Sequence, residues 1–268
     1  MIPRPLWRVL CHEPADGAWN MAVDETVAEA VGAGRVPPTL RFYGWQRPTV
    51  SLGYLQPAQG SRTVRACRRL RVPVVRRPTG GRAVLHAREL TYSVAVPLTG
   101  GWGGLSIAES FARLSRGLIA GLACLGVAAS LGPSDPCGPT ALGGEACFHL
   151  RRLPAILVGG RKLIGSAQRR WERSLLQHGS LLLDFDAAMH EAIFPEWSRR
   201  DMAEGVVWLS ALVTELPPMD ALAERLAVAW GKALEVGMRA GRLTGEEVAQ
   251  AEALVRTRYG TAKWTLRR

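Results

Sequence analysis

Apolar and polar residues alternate over short runs through the first two thirds of the chain, and the last third spaces its apolar residues with a helical period. Residues 40–43 and 49–53 read as strands around a turn at 44–48, where Gly44 and Pro48 punctuate the pattern. A short strand follows at 72–77, and 83–86 with 90–96 reads as a strand pair, the second member alternating cleanly. Residues 155–158 and 162–168 read as strands around Gly159-Gly160, and 175–183 as another. One helix is predicted over 20–33, with Asn20 as its N-cap and Gly32 and Gly34 closing it. A second spans 106–125, where Ser106 and Glu109 have the spacing of a capping box. The stretch 126–145, rich in Gly, Pro and Ser, reads as largely loop. After Asp184 the pattern predicts helices over 186–193, 208–213, 219–240 and 244–258.

No linker or internal repeat divides the chain. The expectation is a single α/β domain of the α+β type over 1–268, with a core at about 20–240 and a helical portion at 186–268 packed on it. Sheets from the first two thirds would be covered by helices.

Composition narrows the class. The chain has 268 residues, 47% hydrophobic and 21% charged, which suits a globular protein. No apolar run approaches the roughly 20 residues that span a bilayer, and the first residues carry no apolar signal core, so a cytoplasmic location without membrane contact is expected. The net charge of +11 comes from arginine, because Lys162, Lys232 and Lys263 are the only lysines. Such a field draws acidic partners. Neither an aromatic ladder for stacking bases nor zinc-finger spacing is present, so nucleic acid is not the expected partner. Five cysteines without a CxxC pair argue against a disulfide framework and against structural zinc, and no metal or cofactor is expected.

Four segments could carry chemistry. In 76–86, Arg76 and Arg77 precede Thr79-Gly80-Gly81, with His86 at the end; paired glycines allow close backbone approach, and arginines suit a carboxylate or phosphate. The same residues would also make an ordinary basic hairpin turn. In 159–169, Lys162 is the only lysine of the first 231 residues and precedes Gly165-Ser166-Ala167-Gln168. A titratable amine in an arginine-rich chain suits catalysis or control of a neighbouring pKa. Cys147 ends a glycine-rich loop and precedes Phe148, the setting of a reactive thiol, whereas Cys124 sits in an apolar run as a packing cysteine would. Cys137 is its rival, and Cys11 and Cys67 look like packing or surface thiols. His178-Gly179 lies in a predicted strand, where the imidazole either positions a substrate or serves as a satisfied core residue. Asp24 and Glu25 read most simply as acids complementing a helix dipole.

Taken together, these segments resemble the biotin/lipoate protein ligase superfamily. The matching pieces are 20–25, 41–45, 51–54, 76–86, 89–93, 160–168 and 177–180, in the family's order. Within it the chain is most similar to the LipM-type octanoyltransferases, which carry an Ala-Cys-Phe segment upstream of Gly-Arg-Lys. Here Ala146-Cys147-Phe148 lies before Gly160-Arg161-Lys162, followed by a more basic stretch than that branch commonly shows. The resemblance implies mixed, mainly antiparallel sheets flanked by helices, related to class II synthetases. It also implies transfer of octanoyl from octanoyl-acyl carrier protein to a lysine of a lipoyl-domain protein, such as the glycine cleavage H protein, through a Cys147 thioester. Lys162 would lower the thiol pKa. Arg77, Thr79, Gly80, Gly81, His86, Gly165, Ser166, Ala167, Gln168, His178 and Gly179 would bind the substrate. Leu85, Val94 and Leu163 are expected to furnish the apolar wall. The proton acceptor for the incoming lysine stays open among His178, Lys162 and the departing thiolate. An ATP-dependent lipoate-protein ligase and an octanoyl amidotransferase acting between lipoyl domains remain alternatives.

Overall fold

The computed structural model describes residues 4–132, 155–196, 198, 200 and 204–267. Its first half runs β1 (Leu6–Ala15), α1 (Gly17–Gly32), β2 (Thr39–Trp45), β3 (Thr49–Leu52), α2 (Arg62–Leu70), β4 (Val74–Arg76), β5 (Val84–His86), β6 (Glu89–Pro97) and α3 (Ile107–Ala123). The second half runs β7 (Ser130–Leu131), β8 (Ile156–Val158), β9 (Arg161–Arg170), β10 (Ser174–Leu182), α4 (Ala187–Ile193), α5 (Met219–Leu234), β11 (Gly237–Ala240) and α6 (Gly245–Leu254). A π-helical turn, Val255–Tyr259, and the short helix Ala262–Thr265 close the described chain.

Eight strands form one sheet in the order β11-β1-β2-β6-β10-β9-β8-β7, and β4-β3-β5 form a second. β1 pairs parallel with β11 and β2, and β3 with β4; the other ladders are antiparallel. The mixed, mainly antiparallel class expected from the sequence is what forms. The central strands β2, β6 and β10 are buried along nearly their whole length, as strands covered on both faces must be. On one face α3 and α5 bury Leu114, Leu118, Leu122, Leu222, Leu226 and Trp230 against Leu40, Phe42, Val94 and Leu175. Gly117 lets the two helices meet, since a Cβ there would sit 2.3 Å from Trp230 Cδ2. On the other face α1 lays Met21, Ala22, Val27 and Val31 on Tyr43, Ala95 and Leu176. The small sheet has its own apolar cluster with α2 and α4, through Val50, Leu52, Val64, Leu85 and Ile193.

Several boundaries differ from the sequence expectation, each for a physical reason. α1 begins at Gly17, capped by the Asp16 side chain on Trp19 N–H; Asn20 lies inside the helix, and its side chain donates to Gly44 O. Strands 83–86 and 90–96 do not pair with each other. β5 pairs with β3 in the small sheet and β6 with β2 and β10 in the large one, so the turn between them links two sheets. The predicted helix 219–240 stops at Leu234, where Glu235 takes a left-handed conformation, and Gly237–Ala240 becomes an edge strand against β1. β1 itself is fixed by two parallel neighbours and carries no clean alternation. The run of arginines at 62–69 is the amphipathic helix α2, with Ser61 as its cap. The 208–213 helix is a single 3₁₀ turn. The capping boxes of α3 (Ser106, Glu109) and α6 (Thr244, Glu247) both form. Cys124, expected as a packing residue, is exposed, while Cys67 is buried. Among the described residues no helix is long and apolar enough to cross a membrane.

Candidate active site

The period-2 geometry of three adjacent strands builds the floor of one pocket. Arg41, Tyr43 and Trp45 on β2, Glu89, Thr91 and Ser93 on β6, and His178 and Ser180 on β10 alternate with the Leu, Phe and Val positions packed under α3 and α5. Their register makes two rows: Arg41, Ser93, His178 and Ala167 in one, Tyr43, Thr91, Ser180 and Gly165 in the next. α1 and the small sheet stand over these rows. The pocket between them is lined by residues from every one of these parts, including Met21, Tyr43, Trp45, Ser51, Arg77, Val84, His86, Lys162, Ser166 and His178. Its empty space, open mouth included, is about 450 Å³.

Two imidazole relays border this pocket. In the first, His178 Nδ1 lies 2.9 Å from Asp24 Oδ2 and its Nε2 lies 2.6 Å from Thr79 Oγ1. Asp24 is fully buried; Arg41 reaches Oδ1 at 2.6 Å, and the Tyr43 hydroxyl donates to Oδ2 at 2.9 Å. Burial pushes the Asp24 carboxyl up, but the hydrogen bond with His178 and the Arg41 charge outweigh it, and the group ionises below its ordinary range. Burial lowers His178, which stays neutral near pH 7. A carboxylate only accepts, so Nδ1 carries the ring proton and Nε2 accepts from Thr79.

In the second relay, His86 Nδ1 lies 2.7 Å from Glu89 Oε1 and its Nε2 lies 2.7 Å from Ser51 Oγ. Trp45 stacks on the imidazole at 4.0 Å between ring centroids and donates its own N–H to Thr91. Thr91 and Ser180 donate to the same oxygen of Glu89. Burial pushes Glu89 up, and His86 with these hydroxyls brings it below its usual value.

The structure gathers most of the expected residues. Arg77, His86, Lys162, Gly165, Ser166, Ala167, His178 and Gly179 all line the pocket. Arg77 directs its guanidinium at the carbonyls of Ser51, Gly80 and Arg82 and at Ser51 Oγ, so it ties the 77–82 loop down. Lys162 is half-buried at the start of β9, and its carbonyl accepts from Val207 N–H. Four residues stand outside the lining. Thr79 is buried behind His178; Gly80 and Gly81 are exposed at the loop tip, with Gly81 at φ +92°; Gln168 sits on the α3 side, paired with Gln177 and Ser110. Nearby, the Tyr92 hydroxyl meets Ser166 and accepts from Gln177, and burial pushes its pKa up to about 12. Arg76 turns away from the pocket altogether: it is fully buried and holds carbonyls of Gly53, Gln56, Trp264, Thr265 and Arg267. Cys147 and Cys137 lie outside the described residues.

The expected apolar wall is corrected. Leu85 packs in the small-sheet cluster, and Val94 and Leu163 pack under α3. The apolar side chains in the lining are Met21, Trp45, Val84 and the methyl of Ala167. Strand alternation puts Val84 and Leu85 on opposite faces, and the run of branched residues could not say which faced the pocket. Asp24, Tyr43, Ser51 and Glu89 were missed as site residues, although their segments matched a known pattern. One signal was available: Asp24 and Glu25 are adjacent acids in a mostly apolar helical stretch, 21–31.

A family profile described as the lipoyl protein ligase A/B catalytic domain matches residues 16–230. The chain is 41% identical to the octanoyltransferase LipM of Symbiobacterium thermophilum, covering 98% of each chain. It is 40% identical to the octanoyltransferase LipM of Kyrpidia tusciae, covering 98% of this chain and 99% of that one. Among solved structures, a lipoate-protein ligase A bound with ATP superposes with a TM-score of 0.81 at 24% identity, covering 97% of this chain and 98% of that one, and shares the fold.

Proposed function

The chain belongs to the lipoyl protein ligase A/B catalytic-domain family, and from that premise we propose that it is an octanoyltransferase of lipoate biosynthesis working through a Cys147 thioester. The observation that carries the reading is the near-full-length identity of 41% and 40% to two octanoyltransferases. The pocket is consistent with it: one amine, two imidazole relays and a short apolar wall converge on one space.

In this reading an octanoyl thioester arrives on an acidic carrier protein, drawn by the +11 charge. Cys147, fifteen residues before Lys162 in sequence, attacks as thiolate, and Lys162 favours that ionised form. The carrier thiol leaves. A lysine of a lipoyl-domain protein then takes the acyl group as an amide; the glycine cleavage H protein is the acceptor proposed. Arg77 and Thr79 hold the loop and ring beside the pocket, and Gly80-Gly81 or Gly165-Ser166 offers backbone N–H groups to the oxyanion. Removing one such donor typically lowers rate about 10²–10³-fold.

The test is intact-mass measurement after mixing with octanoyl carrier protein and no ATP. A hydroxylamine-sensitive octanoyl adduct on the wild type, absent from Cys147→Ala, is expected. An adduct that requires ATP, or full transfer by Cys147→Ala, would sink the reading. Lys162→Ala should keep its fold and slow alkylation of Cys147 at neutral pH.

A further inference from the structure

Two similar relays border one pocket, and charge balance distinguishes them. We propose that His86 accepts the proton an incoming lysine must lose, with Glu89 as its positioning residue and Ser51 as the hydroxyl between ring and pocket. This rests on the acyl-enzyme reading above.

The first difference lies in the two carboxylates. Asp24 already has a full countercharge, with Arg41 at 2.6 Å. Glu89 is equally buried, yet no arginine or lysine hydrogen-bonds it among the described residues. Three partners crowd onto its Oε1, and its Oε2 has no hydrogen-bond partner among the described residues. A buried carboxylate without a cation is unfavourable. A proton arriving on His86 supplies that cation; one arriving on His178 meets an acid already neutralised.

The second difference lies at the far end of each ring. Thr79, at the His178 end, and Ser51, at the His86 end, are both buried, but only Ser51 lines the pocket. Arg77 donates to Ser51 Oγ at 3.0 Å, which turns the hydroxyl proton toward His86 Nε2. The other groups around the ring pair are Trp45, Thr91 and Ser180, none of which titrates near neutrality. Lys162 and His178 share the same pocket, and His190 feels the Glu89 charge from α4.

The acceptor ammonium gives one proton to Ser51 Oγ as the serine proton passes to His86 Nε2, leaving a neutral amine. The amine attacks the thioester carbon; the C–N bond forms, the C–S bond breaks, and the second N–H proton goes to the departing Cys147 sulfur. The His86 imidazolium, paired with Glu89, then returns its proton to water.

The test presents two acceptors to preformed octanoyl-enzyme, its formation read first by intact mass. A lipoyl-domain lysine must be deprotonated, whereas hydroxylamine is already neutral at pH 7. His86→Gln and Glu89→Gln should lower lysine transfer about 10²-fold relative to hydroxylamine transfer, the size of a general-base contribution. Glu89→Gln should also move the acidic limb of the transfer rate to lower pH, because the imidazolium loses its carboxylate. Hydroxylamine transfer reports that each variant is folded, and Ser51→Ala, which keeps the ring pair, gives a second measure with a smaller drop in the same ratio. An unchanged ratio in all three variants overturns the proton assignment while leaving the thioester intact. Absence of octanoyl-enzyme in the wild type overturns the reading and this inference together.

Discussion

Asp24 and His178, 154 residues apart in the chain, share a 2.9 Å hydrogen bond beneath α1, and that bond joins the helix to the central strands. Asp24 also accepts from Arg41 and Tyr43, and all four side chains are buried. Breaking one partner of a buried ion pair typically costs about 3–5 kcal/mol. Asp24→Asn should therefore lower the unfolding free energy by about that much, read as a lower urea midpoint at unchanged slope. A variant as stable as wild type would show that α1 is held by its apolar face alone.

Acidification should destabilise the fold in two stages. His12, which accepts from Arg41 Nε at 2.9 Å, is held down to about 4 by burial and by the Arg41 charge, and burial lowers His178 as well. Unfolded histidine titrates at about 6.5. Between there and the folded values the unfolded chain binds more protons, so stability falls as pH falls through that window. The depressed carboxyls of Asp24 and Glu89 act lower down: their stabilisation is present above the unfolded carboxyl range of about 4 and is lost as pH falls through their folded values. Urea midpoints from pH 7.5 to 4.5 should decline, and His12→Gln should flatten the decline. A flat wild-type profile would contradict both burial shifts.

Arg76 joins the described C-terminal end to the site loop. Its guanidinium holds carbonyls at 53 and 56 on one side and at 264, 265 and 267 on the other, while the Trp264 indole donates back to Arg76 O at 3.0 Å. Hydrogen bonds from a charged donor are each worth about 1.5–3 kcal/mol. Arg76→Ala should expose amides at 261–267 to hydrogen exchange well before those of β10. Equal protection in both proteins would show that the ion pair and hydrogen bond of Glu25 with Arg258 and Tyr259 suffice.

Gly53 faces the loop that carries Thr79. A Cβ there would lie 1.8 Å from Gly81 O, so Gly53→Ala must displace the 79–82 backbone. A 1 Å misplacement at a site can cost on the order of 10²-fold in rate. Transfer should fall by about that factor while the far-UV circular dichroism stays native. Full activity would mean that the loop shifts freely.

Local rules made some of this molecule readable. The capping box at Ser106 needs only residues three apart, and its helix forms where that spacing says. Strands β2, β3, β9 and β10 stand where the alternation placed them to within a few residues. The resemblance of 160–168 and 177–180 to a known pattern led to Lys162, Gly165, Ser166, Ala167, His178 and Gly179, which all line the pocket.

What the sequence alone determined, then, is many of the elements and the segments that meet at the site, because helix periodicity, caps and turn residues act over a few positions. The tertiary structure decided which strands pair, which side of β5 faces the pocket, and which acid holds which imidazole. Asp24 finds His178 only after the sheet register sets Arg41, Ser93 and His178 in one row. Glu89 finds His86 across a turn that links two sheets. Contacts of that kind depend on the relative placement of distant strands and on the charge left uncompensated between them, and no local pattern encodes either.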